Sequence, residues 1–92
     1  MIELRCDKIS PGLRASEAIA EFADTTGKVH YIRVERDFLS ESNGVYFLPI
    51  GMVKLEQNSN RALIELPHEA ETGANRIWVI PNQLQQHREA VA

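Results

Sequence analysis

The amino-acid sequence predicts a small all-β domain, and three observations predict it. Residues 2–6 alternate, with Ile2, Leu4 and Cys6 on one side and Glu3 and Arg5 on the other, which is the period of a half-buried strand. Several short segments are rich in β-branched and aromatic residues, such as Val29, Tyr31, Ile32 and Val34. These segments are separated by turn chemistry, most strongly at Asn43-Gly44, where both residues tolerate positive φ. Together they predict a small antiparallel β-barrel of about six short strands with a short C-terminal helix.

Each element follows in chain order. The first strand, over residues 2–6, is broken by Ser10-Pro11-Gly12, since proline removes a donor and glycine permits positive φ. Glu17–Ala23 fits two patterns. Ala18, Ile19, Phe22 and Ala23 form a helical stripe that Ser16 could cap, while Ala18, Ala20 and Phe22 alternate with Glu17 and Glu21. The strand reading is preferred, because the segment runs through Asp24-Thr25-Thr26-Gly27, a hairpin connection, into the β-rich residues 28–36. Residues 45–53 form the next strand, with a bend or bulge expected at Pro49 or Gly51. Asn58-Ser59-Asn60 turns the chain into a strand over residues 62–66 that stops at Pro67. Residues 68–75 read as a polar loop, and Ile77-Trp78-Val79-Ile80 as a last strand before Pro81. Asn82 and Gln85 have the spacing of a capping box, which places Leu84, Arg88 and Val91 on one side of the expected helix.

From Glu17 onward the order of these segments resembles the PRC-barrel family, found in the H subunit of photosynthetic reaction centres and in ribosome-maturation factors. A strand ending at Asp24, a short hairpin and the strand His30-Tyr31-Ile32-Arg33-Val34 come first. Val45-Tyr46-Phe47-Leu48-Pro49-Ile50-Gly51-Met52-Val53 then looks like that family's strand running into a leucine-proline-aliphatic step, and residues 62–66 follow after a turn. The likeness covers roughly the middle half of the chain and contains no diagnostic motif. The family's Asp-Gly opening before a Gly-Val strand start is not evident, so residues 2–16 must supply that strand by another route. The resemblance implies a non-catalytic docking role and transfers no catalytic residue.

Composition narrows the function classes. The 92 residues make one domain, residues 1–92, with a thin core that partner chains could help to bury. The net charge of −3, with basic residues scattered, argues against nucleic acid as a direct partner. Cys6 is the one cysteine, so neither an internal disulfide nor a multi-cysteine metal site is expected. The longest apolar run holds Pro49 and Gly51 and is too short to span a bilayer, and no basic-then-apolar leader opens the chain. A cytoplasmic location is expected.

No residue set commits to a reaction. Ser40 or Ser42 could join a histidine and an aspartate, but the glycine-flanked nucleophile elbow is missing. Cys6 beside Arg5 reads as a small buried hydrophobe. Gly51 and Gly73 stand singly, so no phosphate-cradling loop is present. His68, Glu69 and Glu71 could ligate a metal, with His30 or Asp24 completing the set, yet their spacing matches no dedicated motif and a solvated loop is the simpler reading. No catalytic residue, cofactor or metal is therefore assigned.

The expected function is a non-enzymatic protein-binding or adaptor module that self-associates, a dimer being favoured. Its expected partner surface comprises Arg76, Trp78, Tyr46, Leu48, Ile50 and Met52. Arg76 and Trp78 project to one face of their strand, with the composition of an interface hot spot, although a core plug is the preferred reading of Trp78, since tryptophan is highly buried on average. Tyr46, Phe47 and Met52 likewise suit core positions. Residues 45–53 are apolar on both faces, and one chain has a single interior to cover them. The alternative is a small metal- or ligand-binding enzyme subunit using His68, Glu69, Glu71 and Arg76. Convergence of those four on a cleft would favour it.

Overall fold

The computed structural model describes residues 1–86. It is mainly β and antiparallel, with nine strands among the described residues. These are β1 (Ile2–Arg5), β2 (Lys8–Pro11), β3 (Glu17–Ala23), β4 (Val29–Glu35), β5 (Ser40–Ser42), β6 (Val45–Glu56), β7 (Arg61–Glu65), β8 (Arg76–Val79) and β9 (Leu84–Gln86). Two 3-10 turns, Arg36–Phe38 and Pro81–Gln83, join strands, and no described helix is long and apolar enough to cross a membrane. One sheet has the order β8-β7-β6-β1-β9, with β5 also paired to β6, and the other has the order β2-β3-β4.

The two sheets share one core. Glu17–Ala23 is a strand, and its alternation buries Ala18, Ala20 and Phe22. Its antiparallel partner β4 presents His30, Ile32 and Val34 to the same side. Leu4, Leu48, Ala62, Ile64, Ile77 and Val79 meet them from the larger sheet. The expected turns form with the predicted backbone, since Asn43 and Gly44 both have positive φ, as does Gly27 after Asp24.

Two expectations are corrected. The described strands do not close into a barrel. At one corner the chain itself passes between sheets: the amide of Cys6 donates to Tyr46 O, continuing the β1–β6 ladder. The amide of Asp7 then donates to Glu21 O, continuing the β2–β3 ladder. At the opposite corner the backbone bonds that cross among the described residues are isolated, from the amide of Glu71 to Tyr31 O and from the amide of Thr25 to Trp78 O. A closed barrel needs a ladder at that position, and β4 meets a loop there instead.

The second correction is at the C-terminus. Where a helix was expected from Asn82, residues 81–83 make a 3-10 turn and Leu84–Gln86 pairs with β1. The open edge of β1 offers unpaired backbone groups, and β9 satisfies them while placing Leu84 opposite Leu4. Gln83 still caps the turn, with its Oε1 accepting from the amide of Ile80 at 2.9 Å. Arg88 and Val91 lie outside the described residues.

Three strands were not expected, namely β2, β5 and β9. The bulge also differs in place. Pro49 keeps its register opposite Glu3, in the interval where β6 pairs with β1 alone, between the end of β5 pairing at Phe47 and the start of β7 pairing at Gly51. A residue without an N–H is tolerated where one flank has no ladder. The register instead slips between Met52 and Lys54, leaving Val53 as the extra residue.

Candidate functional site

The candidate interaction site is the far half of β6, and its geometry comes from the way that strand changes neighbours. Over residues 45–50 it has β1 on one side and β5 on the other for part of its length. Phe47 and Leu48 point to opposite faces there and both are buried. Both apolar faces are therefore covered within the chain at this level, against the expectation that only one could be. Beyond Ile50, β6 pairs with β7 only, and its β1 side has no ladder partner among the described residues. Met52, Val53 and Leu55 lie there with 43%, 41% and 50% of their surface exposed, which makes a compact apolar patch on an open strand edge.

The outward face of β6, β7 and β8 is ionic. Lys54 Nζ lies 3.1 Å from Glu56 Oε2, and Arg61 Nε donates to Glu56 Oε1 at 2.7 Å. The bonds from Arg61 and then Lys54 hold the Glu56 carboxyl below the usual carboxylate range. Trp78 lies on this face, half-buried, with the Arg61 guanidinium 3.9 Å above its ring. It does not plug the core. Arg76 pairs instead with Glu65, at 3.0 Å.

The six residues expected as one partner surface thus separate. Leu48 is fully buried, and Tyr46 and Ile50 are half-buried against the core, so Leu48 in particular is removed from any surface. Met52 sits opposite Ile64, on the core-facing side of the hairpin, and is exposed where β6 has run past its β1 pairing. Arg76 and Trp78 occupy the other side, since Trp78 pairs with Leu63 and Arg76 with Glu65. Val53 lies in the apolar run 45–53 but was not named with the expected partner surface, and Leu55 and Arg61 were missed. Leu55 had a signal, since it is apolar just before a turn, but Arg61 meets Trp78 only through the β7–β8 register.

The described residues contain one buried polar chain that resembles catalytic machinery. His30 Nε2 lies 2.8 Å from Asp24 Oδ2, and His30 Nδ1 lies 2.6 Å from Thr72 Oγ1. These contacts suit an imidazole that donates to the carboxylate and accepts from the hydroxyl. Burial raises the Asp24 pKa, but bonds from the Thr26 hydroxyl, His30 and the amides of Thr26 and Lys28 outweigh it and lower the value to about 2. The amides flanking Thr72 are already bonded, Glu71 to Tyr31 O and Gly73 to Ala70 O, so neither is free to stabilise an oxyanion. The chain clamps the 70–75 loop and the 24–28 turn to β4, at the corner where the sheets fail to close.

The residues of the metal or ligand alternative do not converge. His68 lines a groove of about 330 Å³ with Phe38 and Pro67. Glu71 lines another, of about 420 Å³, and pairs with Arg33 at 3.6 Å. Arg76 is held by Glu65 on a different face. Among the described residues no three His, Cys, Asp or Glu side chains are placed to share a metal ion. Cys6 is buried, and burial, with a smaller effect of Asp7, pushes its thiol up to about 12, so it is a poor nucleophile.

Compared with protein-family models, with curated proteins and with solved structures, the chain matches none.

Proposed function

We propose that this chain is a non-enzymatic protein-binding module of the cytoplasm that self-associates, and that it is related to the PRC-barrel docking domains. The observation that carries the binding role is the open edge of β6 beyond Ile50 with Met52, Val53 and Leu55 exposed beside it. Unpaired backbone and apolar side chains in one place are what an added strand requires. The strand order β3, β4, β6 and β7 supports the relationship, since it follows the resemblance over residues 17–66. A closed barrel is no part of it.

A protein partner is favoured over nucleic acid because cations on the β6–β8 face are already paired, Lys54 and Arg61 with Glu56 and Arg76 with Glu65. The separation of His68, Glu71 and Arg76 weighs against the enzyme-subunit alternative. Sedimentation equilibrium at micromolar concentration tests the proposal. The expected mass exceeds the 10.4 kDa of one chain. A single-chain mass across the whole range would overturn self-association.

A further inference from the structure

We propose that two copies join edge to edge through β6 in antiparallel register about a two-fold axis at Leu55, with Lys54 of each copy opposite Glu56 of the other. This deepens the self-association reading and rests on it. The sheet β8-β7-β6 of one copy then continues into β6-β7-β8 of the second.

Charge selects the register. In an antiparallel pair, residues directly opposite share a face, and opposite charges there attract while like charges repel. Centring the two-fold on Leu55 makes two Lys54–Glu56 pairs, one on each side of the axis. Centring it on Lys54 sets two lysines face to face. Centring it on Val53 would place Glu56 against Ile50, whose register is already taken by Ile2 of β1. Only the Leu55 register is self-complementary in charge and leaves β1 in place.

The faces of the hairpin agree with that choice. Lys54 and Glu56 sit opposite Leu63 and Arg61, on the outward ionic face, whereas Leu55 sits opposite Ala62, on the core-facing side. The junction would therefore be ionic on one face and carry a Leu55–Leu55 contact on the other. Further along the strand, Val53 and Met52 of one copy fall opposite Gln57 and Asn58 of the second, where the hairpin end borders an open hollow lined by Leu55, Glu56, Gln57, Asn58 and Ser59. A bulge and a lysine are common protections of an edge strand. Here the bulge at Val53 precedes the pairing segment, and Lys54, held by Glu56 of its own chain at 3.1 Å, would exchange that carboxylate for the Glu56 of the second copy.

Charge reversal tests the register with intact chains. Lys54→Glu alone puts glutamates opposite each other at both positions, and Glu56→Lys alone puts lysines there. Each variant is expected to sediment as a single chain at a concentration where the native protein associates, and an equimolar mixture of the two is expected to recover the native mass. A second measurement is oxidative trapping. Leu55→Cys lies on the axis, within disulfide reach of its own copy, and should link covalently, whereas Val53→Cys, displaced from the axis, should not. Native Cys6 is buried and does not compete. An associating native protein whose Leu55→Cys variant fails to link, or whose charge variants do not complement in the mixture, overturns this interface while leaving self-association standing. A native protein that is a single chain at every concentration overturns both.

Discussion

Both halves of β6 carry apolar side chains, and those side chains end in opposite environments. In the first half Phe47 and Leu48 are buried on opposite faces, with β1 and β5 flanking the strand. In the second half Met52, Val53 and Leu55 are exposed, with β7 as the one paired strand among the described residues. The second half also carries Lys54 and Glu56, but its exposed apolar residues are of the same kind as the buried ones of the first half. What differs is the number of flanking strands and the layer above, because an apolar side chain leaves water only where other chain segments come to cover it. An apolar stretch therefore marks a surface for a partner where its own chain stops supplying neighbours.

The largest expected effect sharpens this contrast directly. Leu48→Ala removes a fully buried side chain and is expected to destabilise the protein by about 2–5 kcal/mol in urea denaturation. Leu55→Ala, half-exposed, is expected to change stability by less than about 0.5 kcal/mol at concentrations below association. Equal losses would erase the distinction between the halves.

A smaller effect is expected at the corner where the sheets do not close. His30→Ala removes a partner from Asp24 and from Thr72 and is expected to cost about 1–3 kcal/mol. Retained stability would mean that this corner is held by the backbone bonds alone. The same clamp predicts an acid response. The Asp24 pKa is lowered from 3.8 to about 2, so its contribution is complete above the unfolded value and is lost as pH falls towards 2. Asp24→Asn should flatten that part of the stability profile and leave the neutral-pH β6 edge unaltered.

The smallest effect concerns the ionic face of the exposed half. Arg61→Ala removes the guanidinium above Trp78 and is expected to cost about 0.5–1 kcal/mol. Trp78 is the one tryptophan, so its emission should shift to the red as the ring gains water. An unshifted spectrum would place the ring elsewhere.

Much of the fold was legible because its long elements carry period. Glu17–Ala23 resolved as a strand once its alanines and Phe22 met the core, and the Asn43-Gly44 turn has the backbone its residues favour. The strands that were not legible are short and lack apolar alternation. β5 is Ser-Glu-Ser and β9 is Leu-Gln-Gln, so each exists through pairing to a neighbour and not through its own pattern. The same cause hid the C-terminal strand behind a capping spacing. Burial of Glu3 was hidden too, since it depends on Ser40 and Gln85, distant in sequence, both donating to its carboxylate. At the candidate site Met52 was legible as apolar and available, but Leu48 was misplaced, because alternation assigns a face and does not say which faces are covered.

Hydrogen exchange followed residue by residue at two protein concentrations tests the central claim most directly. The backbone of residues 51–56 should gain protection as concentration rises through association, while the amides of Phe47 and Leu48 stay protected throughout. Association without any gain in protection over residues 51–56 would contradict it.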